Sequence, residues 1–557
     1  MSNHVLSRVL LIAILLMALP LFGAAAQTAE PAPPPLRALD FAPFEAVLGE
    51  FGADRVAELD ALVPEATFAE LQSAMAGGDL TSLELTTYYL SRIRDIDVGG
   101  LQSMLEFNPD ALTIAADLDA ERDAGTVRGP LHGIPISIKD NIGSGDQMHN
   151  TAGAAVLADV RSDRDSFVVA ALREAGVVII GKANMSEWAY WMNTGPSGYT
   201  ALGGQVLNPY DPAFDPLGSS TGSAVGTSAN LVAASIGTET LGSLIAPASV
   251  NGVVGMYPSR GLVSRDRVIP VTDQTDTPGP IARTVADVAI LLTAIAGVDA
   301  EDETTNEAAA LAGTDFTELL DAEALKGKRV GIFTGAAAPL EGMALEDFYG
   351  IIGIGPAIAG LETAGAEVVP IWDAGLDNTA LFVVLGNNGL RLGFADYIAA
   401  VDPEGPISSI ADVVAFNAQD PQRYAFYGQE RLEDAAASDG TLEQYVELGA
   451  QLRDQARAHR GLAGAERDRC HRGAGEQVLE HLRRGWPSVG HRSGRPSADR
   501  RSDRVDLHRP LSGGCPGVGV RLCLRAGVTA TSGAAGSRRR MSSHTHTTWP
   551  GVHDGSG

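Results

Sequence analysis

Two short runs constrain this chain more than any other feature. Ile134–Ile138 and Val177–Ile180 are brief, rich in β-branched residues and bordered by glycine. Runs of that length and composition predict strands covered on both faces, as in a buried parallel sheet. Similar runs follow at Val330–Phe333 and Val368–Ile371, with helical stretches between them. Strands alternating with helices, without a repeat, predict an α/β fold around a largely covered sheet. Helices are expected over 42–98, where Phe68, Leu71 and Met75, then Leu85, Tyr88, Ile93 and Ile96, recur at three- and four-residue steps. Thr67 and Thr81 are the expected N-caps there. Further helices are predicted at 110–124 and over most of 372–458. Residues 217–260 differ in kind: Gly and Ser dominate, with a helix-like stretch from Ala224 to Ala234.

Charge divides the chain. Its formal net charge is −28, yet residues 461–557 carry 16 Arg, no Lys and 8 acids. All three Cys and 7 of the 11 His also lie in that segment, and apolar periodicity stops there. A basic nucleic-acid or membrane tail, a low-complexity tail and a slip of the reading frame would each give such a composition. The frame slip is preferred, because GC-rich DNA read out of frame yields this mixture of Arg, Gly, Ser, Pro and His. The tail is then not expected to fold natively. The acidic remainder argues against a nucleic-acid partner, since phosphate recognition needs clustered Lys and Arg.

At the start, Arg8 precedes an apolar run from Val9 to Gly23 that ends in Ala24-Ala25-Ala26. That is the layout of a secretory signal, and the run falls short of the ~20 residues a spanning helix needs. The expectation is export to the periplasm or the extracellular space, cleavage near Ala26 and no stable membrane insertion afterwards.

The chain has only four lysines, and Lys139 directly follows the Ile134–Ile138 run. Burial there disfavours the ammonium form, so its amine could act as a base for a serine nucleophile. A lysine simply paired with Asp140 is the alternative. Gly218-Ser219-Ser220-Thr221-Gly222-Ser223 could cradle a phosphate, but no Gly-Lys-Ser/Thr follows. A second cluster, Gly237-Thr238-Glu239-Thr240-Leu241-Gly242-Ser243, follows the apolar Leu231–Ile236 run. A serine on such a turn can attack a carbonyl while backbone N–H groups hold the oxyanion.

The segment Pro216 to Pro258 resembles the amidase signature, a Gly-Ser-Ser-Gly-Gly-Ser stretch followed by Gly-Thr-(Asp/Glu)-x-x-Gly-Ser. Arg128–Pro135 with Lys139-Asp140-Asn141, Gly181–Trp188 and Asp276–Thr284 agree with the same family. Ser186-Glu187-Trp188, Gly203-Gly204-Gln205, Asn208-Pro209-Tyr210 and Val250-Asn251-Gly252 look most like its peptide-amidase branch. The resemblance implies an amidase-signature fold, a central mixed β-sheet with helices on both faces. It divides the chain into a signal peptide (1–26), a spacer and N-terminal helix (27–65), an amidase domain (66–460, signature core 130–285) and the aberrant tail (461–557).

It also implies roles. Lys139 matches the catalytic lysine, Ser219 the bridging serine on a cis peptide bond, and Ser243 the acylated nucleophile. Backbone N–H groups of Thr240, Leu241, Gly242 and Ser243 would form the oxyanion hole. The implied reaction is hydrolysis of a peptide or small-molecule carboxamide, without metal or cofactor. Leu241 departs from the Gly or Asp of relatives, which predicts altered substrate fit. Two other functions stay open: a transamidation subunit acting on aminoacyl-tRNA, and an inactive remnant that the altered tail keeps from folding.

Overall fold

The computed structural model describes residues 33–334, 343–371 and 379–454, and the backbone of 521–522. The proposed signal sequence and almost all of the Arg-rich tail lie outside these residues. Among them, no helix is long and apolar enough to cross a membrane.

Six of the seven strands of the main sheet are β1 (Met104–Phe107), β2 (Pro135–Lys139), β3 (Val178–Ala183), β4 (Ala234–Glu239), β5 (Val254–Tyr257) and β6 (Thr277–Ala282). Their spatial order is β1-β3-β2-β4-β6-β5. β2 runs parallel to both β3 and β4, whereas β1, β5 and β6 pair antiparallel with their neighbours. At the β5 edge, the backbone of Arg521–Leu522 pairs antiparallel with Tyr257 and Met256. The sheet is therefore mixed, as expected.

Neighbouring residues on one strand point to opposite faces, and both faces are covered. Val178 packs with Ala111, Ala115 and Leu118 of helix α1 (Ala111–Asp123), while Ile179 enters the main core. Ile281 joins a cluster with Ala224 of α2 (Thr221–Ser228), Ala248 of α3 (Ile245–Val250) and Leu244 just before it; the adjacent Ala282 joins the main core. Upstream, Thr67 and Thr81 each start a helix through a complete capping box, with Glu70 and Glu84 closing them. A helical layer, α4 (Thr379–Val401), α5 (Ile410–Asn417) and α6 (Glu430–Ala437), packs its Leu390, Phe394, Ile410 and Leu432 around Trp188 and Trp191.

Three expectations change. The helix-like stretch ends at Ser228; Asn230 turns left-handed (φ 54°) and Ala234 already belongs to β4. The runs near 330 and 368 are strands, β7 (Arg329–Phe333) and β8 (Glu367–Ile371), but among the described residues they pair only with each other. Third, β1, β5 and β6 were not anticipated. Pro278 and Pro280 hid β6, because proline removes a ladder donor and argues against a central strand. Here they lie opposite Thr238 and Ile236 in an antiparallel pair.

Candidate active site

The site gathers where β2 and β4 end. Lys139 is the last residue of β2 and is fully buried. Its Nζ lies 2.8 Å from Ser219 Oγ, 2.9 Å from Thr238 Oγ1 and 3.1 Å from Thr238 O. Burial lowers its pKa to about 7, against the opposing pull of Asp276 and Glu239. A neutral amine has two N–H bonds and one lone pair. The Thr238 carbonyl can only accept, so a hydroxyl is free to donate to that lone pair, and Ser219 is the nearest. Asn141 holds Thr238 in place through Nδ2 to Oγ1 at 3.0 Å.

Lys139 is not paired with Asp140. The Asp140 carboxylate accepts from Thr151 and from Gly153 N–H, and its charged neighbour is Lys182. That second buried lysine donates to Ile142 O and lies 3.5 Å from Asn150 Oδ1. Alternation along β2 keeps the two lysine environments apart.

Ser219 lies just ahead of α2, after a cis Gly218–Ser219 peptide bond. Its carbonyl accepts from Ser186 N–H at 3.0 Å. Ser220 N–H donates to Ser243 O at 3.0 Å, and Ser220 Oγ both donates to Thr238 O and accepts from Thr238 N–H. These bonds lace the first Gly-Ser segment to β4 and to the second. Gly237 permits the approach, since a Cβ there would sit 2.6 Å from Ser220 Oγ.

Ser243 is 7% exposed on the turn between β4 and α3. Among the described residues its Oγ makes no hydrogen bond, so the link to Ser219 Oγ is not formed in this structure. The turn is held from inside by Glu239. Its carboxylate accepts from Gly242 N–H (2.7 Å), Leu244 N–H (2.8 Å) and Ile245 N–H (3.1 Å). Of the four backbone groups expected in an oxyanion hole, that of Gly242 is therefore occupied, whereas those of Leu241 and Ser243 carry no hydrogen bond among the described residues. Leu241 is 65% exposed, two residues before Ser243. Asp276, buried with its pKa raised to about 6 by desolvation, accepts from Thr240 Oγ1 and from the N–H groups of Val271 and Thr272.

Sequence reasoning named Lys139, Ser219 and Ser243 but gave no role to Thr238, Glu239 or Asp276. Thr238 and Glu239 belong to the Gly-Thr-Glu cluster already singled out, and Asp276 opens another quoted segment, so the signal was present without its geometry. Among the described residues no group of His, Cys, Asp and Glu could hold a metal.

Residues 84–370 match the model of the family described as Amidase. The chain belongs to the amidase family. That family is one of amide-hydrolysing enzymes. A solved peptide amidase from Stenotrophomonas maltophilia is 42% identical, with a TM-score of 0.63 over 69% of this chain and 78% of that one. An amidase-named protein of Arabidopsis thaliana is 38% identical over 69% of this chain and 74% of its own length. Another, from Arthroderma benhamiae, is 42% identical over 47% of this chain, which spans only 44% of that relative.

Proposed function

We propose that this amidase hydrolyses carboxamides, a peptide C-terminal amide or a related amide, to a carboxylate and ammonia through a Ser243 acyl-enzyme. The contact between Lys139 Nζ and Ser219 Oγ carries the reading: a buried amine near pKa 7 is already on the hydroxyl that would relay a proton. Ser243 Oγ attacks the carbonyl carbon, and its proton passes through Ser219 to Lys139. The tetrahedral oxyanion is held by free N–H groups of the Thr240–Ser243 turn. The C–N bond then breaks as the relay returns the proton to nitrogen, and ammonia leaves. Water repeats the sequence on the ester and releases the carboxylic acid.

Residues 1–26 add export to this reading, which N-terminal sequencing of the mature chain tests. The decisive experiment for the chemistry compares ammonia release from a peptide amide by the full chain and by Ser243→Ala. The expected result is turnover by the first and none by the second. Equal rates would remove Ser243 from the mechanism.

A further inference from the structure

Glu187 is a carboxylate that the mechanism does not use, yet it is 5% exposed and lines a cavity next to Ser186. Ser186, Tyr190, Asn193 and Tyr199 form other parts of the wall. Ser186 donates its N–H to Ser219 O, so this wall is one hydrogen bond from the Lys139–Ser219 pair. We propose that this cavity is a specificity subsite for a cationic hydrogen-bond donor on the acyl side of the substrate, with the Glu187 carboxylate as its recognition group.

The side chain is aimed inward by an unusual backbone. Trp188, Ala189 and Tyr190 are all left-handed, with φ of 54°, 53° and 70°. L-residues visit that region singly, at roughly 1–2 kcal/mol each, and a run of three, two of them large aromatics, is held only by its surroundings. Trp188 supplies that hold, buried at 1% exposure with its ring edge-on to Phe394. Below this anchor, one Glu187 oxygen accepts from Ala201 N–H at 2.7 Å. The other has no hydrogen-bond partner among the described residues.

A carboxylate oxygen that faces a cavity from a largely buried side chain, with no donor on it, is a cost that a ligand can relieve. Burial answers it in the empty cavity by raising the Glu187 pKa to about 8. An entering cation favours the ionised form and completes the pair. The cavity's volume of about 10 Å³ suits one group the size of a water or an ammonium head. Arg431, which packs on Tyr190 of this wall, is committed to that residue, whose carbonyl it reaches at 2.6 Å and whose ring it covers at 4.9 Å.

The choice of the acyl side rests on the proposed function. When the leaving group is ammonia, only the acyl part of the substrate has atoms left to fill a neighbouring cavity. The subsite therefore selects amides with a basic side chain near the scissile group.

The test uses the full chain with N-acetyl-lysinamide and N-acetyl-norleucinamide, which differ in the side-chain ammonium. The expected kcat/KM ratio favours lysine by about tenfold or more, carried mainly by KM. Glu187→Gln should bring the ratio near one, and Glu187→Asp should keep part of the preference. A wild-type ratio of one or below, or a ratio unchanged in Glu187→Gln, overturns the subsite. Calorimetry with n-butylammonium against n-butanol reads the subsite without turnover. If neither amide is hydrolysed but n-butylammonium binds the wild-type chain in preference to n-butanol, the amidase reading fails and the subsite stands. If amides turn over and n-butylammonium binds no better than n-butanol, the subsite alone falls. Should Glu187→Gln fail to fold, the wild-type ratio and the calorimetry decide.

Discussion

The β2–β3 pair and the β7–β8 pair are built from the same kind of sequence and run in the same parallel sense. Their surroundings differ completely. Every residue of β2 and β3 is buried, whereas β7 alternates between exposed and half-buried, with Phe333 52% exposed. Burial is what turns the first pair into chemistry. A lysine at the end of a fully covered strand loses its hydration, which favours the neutral amine, while Lys326 and Lys328, just before β7, are exposed to water. Strand-forming composition thus sets local shape, and position in the layers sets chemical behaviour.

The largest test of that contrast is Lys139→Met. It should lower kcat/KM for amide hydrolysis by roughly four orders of magnitude or more, since members of the proposed Lys139–Ser219–Ser243 relay would act as a unit. Lys328→Met should leave the rate unchanged. In the wild type, the base must be unprotonated, so kcat/KM should rise about tenfold per pH unit below about 7 and level off above it. A flat profile from pH 5 to 8 would show that Lys139 is not the titrating base.

Next in size is Ile136→Ala, at a position with no exposed surface, which should cost about 2–5 kcal/mol in a denaturant titration. Glu239→Gln should follow, with kcat lowered roughly 10- to 100-fold and KM little changed, because an amide offers one acceptor oxygen to three N–H groups of the Ser243 turn. Smallest is Phe333→Ser on the outer pair, expected to stay within about 0.5 kcal/mol of the wild type. A loss as large as that of Ile136→Ala would mean that Phe333 is covered after all.

Much of this was legible in the sequence. The Ile134–Ile138 run placed Lys139, the two Gly-Ser clusters placed Ser219 and Ser243, and Thr67 and Thr81 marked helix starts because capping is local. What escaped depends on distant partners. β1 is only four residues long, and β6 breaks its pattern with two prolines and a glycine. Nothing local says that Val330–Phe333 stays out of the main sheet, because the run itself would suit either place. Glu187 reads as an ordinary first-turn acid until its backbone is seen to turn left-handed beside it. The use of Gly242 N–H by Glu239 likewise depends on how the turn closes.

That closure has a consequence at the end of the reaction. Glu239 binds three N–H groups of the same short turn that would receive the oxyanion. A neutral amide enters without opposition, but hydrolysis leaves a carboxylate beside a resident carboxylate. Two such charges about 4 Å apart repel by about 1–4 kcal/mol between bulk water and a protein surface. In the proposed reaction, the acid that holds the Ser243 turn in place therefore also disfavours retention of the acid product.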